Sequence, residues 1–217
     1  MHWTWLALAA LGAGHGLNPG MGWLFAVARG MQEGRSRAVW RALSPLALGH
    51  ALAVGAAVLA AAALGRLVPP SVLGWIVGSA LLGLGALRLV RHRHPRYGGM
   101  RVGFRELTTW SFLMATAHGA GLMVLPLLVR DAGVVPQPSA THAMHLATAS
   151  MVPASGPVGA GLEATLLHTA GYLLVTGLIA MVVYRKLGLR MLRVMWINLD
   201  LIWGGALVVT GAVALLA

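Results

Sequence analysis

The chain contains no cysteine among its 217 residues, which excludes disulfides, thiolate metal sites and CxxC redox chemistry. Charge is also scarce: 10% of residues are Asp, Glu, Lys or Arg against 58% hydrophobic, and mean hydropathy is +0.78. This balance excludes an ordinary soluble domain and indicates an integral membrane protein, with the bilayer as a partner. Acidic residues number five, and only Glu163 and Asp200 fall within apolar segments. No nucleotide-binding loop and no catalytic triad can be found. The chain is therefore read as a non-enzyme, and any energy source would be an ion gradient or another membrane subunit.

Six apolar segments are long enough to span at about 20 residues each. They cover roughly residues 4–28, 42–65, 71–90, 107–129, 160–184 and 195–216. The first lacks a basic leader and a small-residue cleavage site, so it reads as a span rather than a removed signal. Net charge is +11, which in a soluble protein would suggest nucleic acid, but position gives it another meaning. Fourteen of the sixteen basic residues fall in three clusters: Arg29 to Arg41, Arg88 to Arg105, and Arg185 to Arg193. The positive-inside rule makes those loops cytoplasmic and both termini external, in a bacterial-type inner membrane. The RHRHPR run with His92 and His94 then faces lipid headgroups; no nucleic-acid partner is expected.

The first span is broken in its middle by GAGHGLNPGMG, residues 12–22. Proline removes a backbone donor, so the freed carbonyls need partners from other helices, from water or from an ion. His15 and Asn18 share one helical face, with Met21 one turn further on. Span two carries His50, span four His118 and span five His168. GHGLNP corresponds to AHGAGL, GHALAVG to HTAGYLLVTG, and the third element of each half opens on Trp75 or Trp196.

Three spans per unit is odd, so the second unit must be inverted, with a pseudo-two-fold axis in the membrane plane. The expectation is an all-α membrane protein of six helices in two inverted three-helix repeats. Residues 1–95 form the first, 96–106 a basic cytoplasmic linker, and 107–217 the second, with an external loop at 131–159 that contains His142 and His145. Buried ionisable groups face a cavity or each other, so His15, His50, His118 and His168 should converge on one site. Neutral imidazole suits nickel, cobalt, zinc, copper and iron, so a nitrogen-rich first-row metal site is expected, with a proton relay through the same rings open beside it.

HGLNPGMG followed across a basic loop by SPLALGHALAVG resembles the nickel/cobalt transporter family, including its efflux branch, and the architecture is similar to the wider lysine-exporter superfamily. The resemblance covers about residues 10–55, where His15, Pro19, Gly20 and His50 match the family pattern. Met21 stands where the family has a second histidine, and Asn18 where an acid is common. It implies transport of a divalent cation such as nickel or cobalt, with His15, Asn18, Met21 and His50 as its ligands. The Met-His start, with His2, resembles that of nickel and cobalt importers of the energy-coupling class; an interfacial belt of His2, Trp3 and Trp5 is the plainer reading. Two other classes stay open. Histidines on different spans could be axial ligands of haem b in an electron carrier, and small residues such as those of GSALLGLGA could seat a homo-oligomer or a partner's helix in an accessory subunit.

Overall fold

The computed structural model describes residues 2–65, 67–90, 103–131, 156–187 and 199–216, and among these every regular element is helical. The helices are α1 (His2–Leu17), α2 (Trp23–Glu33), α3 (Ser36–Leu64), α4 (Pro70–Val90), α5 (Phe104–Ala117), α6 (Ala120–Asp131), α7 (Gly156–Val182) and α8 (Leu199–Leu216). A 3-10 turn, Pro19–Met21, lies between α1 and α2, and one π turn, Val183–Leu187, extends α7. His92, His94, most of the 96–106 linker, His142, His145, Trp196 and the side chains of His2 and Asp200 lie outside the described residues.

Among the described residues two helices, Ser36–Leu64 and Gly159–Lys186, are long and apolar enough to cross a membrane. The pair Phe104–Ala117 and Ala120–Leu128, bent by 55°, makes a third crossing if it counts as one span. Leucines at 52, 59, 162, 166 and 174 are more than half exposed, as a lipid-facing surface requires.

The two interruptions follow from local chemistry. Asn18 precedes a proline and is held extended at φ −71°, ψ 121°, which ends α1. Pro19 starts the turn with its fixed φ, and Gly22 leaves it at φ 123°, ψ −10°, a conformation that L side chains rarely adopt. At the second interruption α5 is capped by His118, and Gly119 at φ 68° redirects the chain into α6. Pro45 inside α3 removes the amide that would serve the Arg41 carbonyl, and the Ser44 hydroxyl donates to that carbonyl at 3.1 Å.

Glycines set the close helix crossings. A Cβ at Gly12 would strike the His168 carbonyl, one at Gly171 the Ala9 carbonyl, and one at Gly16 would lie 2.6 Å from the Tyr172 carbonyl, so α1 and α7 run parallel in backbone contact. Gly49 meets the Thr108 carbonyl, and Gly121 meets Ala57, which sets α3 parallel to α5 and α6. On α4 and α8 the order reverses: Gly78 faces Gly211 and Gly85 faces Gly204, an antiparallel pair. The main apolar core joins these units through Leu8, Val54, Leu81, Met114, Met123, Tyr172 and Leu207.

Candidate functional site

The carbonyls freed by the first interruption find protein donors. The Trp23 indole donates to the Leu17 carbonyl at 3.1 Å, the Trp110 indole to Gly20 at 3.0 Å, and the Tyr172 hydroxyl to Met21 at 2.7 Å. Asn18 closes the turn, accepting the Gly20 amide on Oδ1 at 2.9 Å. Three neighbouring aromatics thus supply what the broken backbone lacks.

Above this turn three of the four histidines come together. His15 and His50 have ring centroids 5.8 Å apart, His15 and His168 5.2 Å, and His50 and His168 5.3 Å. All three are fully buried at 0% exposure. The Tyr172 ring lies on His50 at 4.0 Å and 11°, and the Ser111 and Thr176 hydroxyls flank its phenol oxygen. Among the rings' nitrogens, both of His50 and Nε2 of His168 are buried with no hydrogen-bond partner.

Hydrogen bonds assign the tautomers, because a carbonyl oxygen can only accept. His15 Nδ1–H donates to the Leu11 carbonyl at 2.9 Å and His168 Nδ1–H to the Leu8 carbonyl at 3.2 Å. In the neutral rings each Nε2 therefore carries the lone pair. Metal-ligating histidines are oriented the same way, by a backbone acceptor on the nitrogen away from the metal.

His118 is arranged likewise but stands on a different partner. Its Nδ1–H donates to the Met114 carbonyl at 2.8 Å, and its Nε2 accepts the Asn18 amide at 3.2 Å. The fourth expected histidine therefore touches the first interruption, and it also lies near enough to His15 to act on it electrostatically. Met21 is buried and contributes its carbonyl, as the acceptor for Tyr172.

A first-row cation bound by imidazole at about 2.0–2.1 Å would hold ring centroids about 3.2 Å away, hence about 5.2 Å from one another at a tetrahedral angle and about 5.5 Å at a trigonal one. Of the observed separations, that of His15 and His50, 5.8 Å, exceeds this spacing, and the other two, 5.2 and 5.3 Å, match it. Even so, among the described residues no group of three or more His, Cys, Asp or Glu could hold a metal ion as it stands. A porphyrin fits less well, since Gly12, Gly16 and Gly171 beside these histidines are filled by facing helix backbone.

Sequence reading missed the tyrosine and the two tryptophans. Tyr172 was accessible to it, four residues after His168 and so on the same helical face. Trp110 was not, because its partner is 90 residues away. No family model, no curated protein and no solved structure matches the chain.

Proposed function

We propose that the protein carries a divalent transition-metal cation, of the nickel, cobalt or zinc type, across a bacterial inner membrane, with His15, His50 and His168 as its resting site. The observation that carries this reading is the three-imidazole cluster, with two of its three separations at ion-compatible spacing and two of its rings aimed by backbone carbonyls. The resemblance of residues 10–55 to nickel/cobalt transporters points the same way.

In this proposal the chain forms six spans in two inverted halves, with α1 and α2 as one broken span, α5 and α6 as another, and both termini external. Helix register supports it. If His15 corresponds to His118 and His50 to His168, equivalent residues are 103 and 118 positions apart. Contacts between α1 and α7 join residues 156 (Gly12 and His168) to 162 (Ala9 and Gly171) apart. Inverting them gives partners 221 minus those values, 65 to 59 apart, between α3 and the α5–α6 pair. The pairs found there span 59 (Gly49 and Thr108) to 68 (Ala53 and Gly121). The α4 and α8 glycines also map onto each other, since Gly78 and Gly85 are spaced like Gly204 and Gly211. Haem b between histidines ranks second because backbone fills the glycines around His168, and an accessory role ranks third because it offers no use for the cluster.

The test is equilibrium binding of nickel, cobalt and zinc to the purified full-length chain. His15→Ala, His50→Ala and His168→Ala should each weaken binding by at least about tenfold. Binding that is indifferent to all three substitutions would rule the proposal out. A Soret band on the purified protein would favour haem instead.

A further inference from the structure

His118 Nδ1–H is committed to Met114, so Nε2 is the one nitrogen of that ring that can ligate a cation, and Nε2 is taken by Asn18. Asn18 is itself fixed on its other side. Its Oδ1 holds the Gly20 amide, which orients Nδ2 toward His118. Both residues are almost fully buried, at 4% and 2% exposure, so water does not offer an exchange partner. Each also sits at an interruption: Asn18 at the end of α1, three residues beyond His15, and His118 at the bend between α5 and α6. One hydrogen bond thus joins the two bends and masks the fourth histidine.

We propose that Asn18 is a positioning residue that holds His118 back, so that a cation resting on His15, His50 and His168 gains His118 as a further ligand only when the Asn18–His118 hydrogen bond opens. This rests on the carrier reading above. The exchange balances simply: His118 Nε2 gives up an amide donor and offers the same lone pair to the cation, with no proton moved. It makes ion transfer conditional on relative movement of the two bends, which a carrier working by alternating access requires.

The experiment uses the full-length protein in detergent with cobalt(II) alone as the probe. Asn18→Ser keeps a hydroxyl to cap the Gly20 amide and is too short to reach His118. It should raise cobalt affinity by about tenfold, the scale of outer-shell effects, and shift the visible d–d absorption as a nitrogen ligand is added. Asn18→Ser combined with His118→Ala should return both to the wild-type values. Asn18→Thr, which also keeps the capping hydroxyl, serves if the serine variant folds poorly. Nitrogen-15 NMR of the histidine rings gives a metal-free arm: His118 Nε2 should shift in Asn18→Ser while its Nδ1–H does not. An unshifted Nε2, or a gain in affinity that survives His118→Ala, overturns the inference. Cobalt bound by the wild type, lost in His15→Ala and unaffected by Asn18→Ser overturns this inference alone. No cobalt binding by any of these proteins overturns the carrier reading as well.

Discussion

The two interrupted helices are held by different means. Between α1 and α2 the chain spends residues 18–22 outside α-helix, and the Leu17 carbonyl is claimed by Trp23 at the start of α2, those of Gly20 and Met21 by Trp110 and Tyr172 from distant parts of the sequence. Between α5 and α6 it spends two residues, and the caps are local: the His118 amide on Met114 at 2.9 Å and the Gly119 amide on Thr116 at 3.0 Å. Apolar packing covers that second bend, with Leu207 and Leu84 against Gly119. A break containing proline exposes carbonyls in an apolar setting and needs long-range donors, whereas a tight left-handed turn satisfies its own backbone and needs only packing.

This difference sets the order of expected damage. Gly22→Ala should be the most harmful, because φ 123° is closed to alanine and the new Cβ would strike the Leu46 side chain; a loss above about 3 kcal/mol is expected. Gly119→Ala at φ 68° should cost less, about 1–2 kcal/mol for the left-handed backbone plus a small adjustment of Leu207. Gly119→Asn should be milder still in backbone strain, while Gly22→Asn should not be rescued. Thermal unfolding of the four proteins in one detergent measures all of this, and equal losses at the two glycines would remove the distinction between the breaks.

Next come the donors to the first break. Trp110→Phe and Tyr172→Phe keep an aromatic ring but leave a carbonyl without its donor, at about 1–3 kcal/mol each. A stability change within about 0.5 kcal/mol for both would mean that the first break does not depend on long-range donors. Ser44→Ala, at the exposed residue before the buried Pro45 of α3, should stay within about 0.5 kcal/mol and sets the lower end of the scale.

Much of the helical architecture could be read from the sequence because membrane-length apolar runs and Pro-Gly interruptions are local signals. The break at residues 18–22 and the α5 to α6 bend near His118 both fall within expected spans. The meeting of His15, His50 and His168 followed from the cost of burying such groups in apolar surroundings. The hydrogen bond between Asn18 and His118 did not, because its partners are 100 residues apart in the sequence. Helix partners were equally hidden. Gly12, Gly49 and Gly78 look alike in the sequence, and only the facing helix shows that the first meets α7, the second α5 and the third α8.

The central claim is that the three-histidine cluster conducts a metal cation, and His50 gives the sharpest measurement of it. Both of its ring nitrogens are buried without partners, so the native ring lowers stability, and His50→Leu should leave unfolding unchanged or raise its midpoint. Nickel or cobalt flux into proteoliposomes should be saturable for the wild type and reduced at least about tenfold for His50→Leu, the two proteins being equally well folded. Equal flux in the two proteins, or the absence of flux from both, would contradict the account.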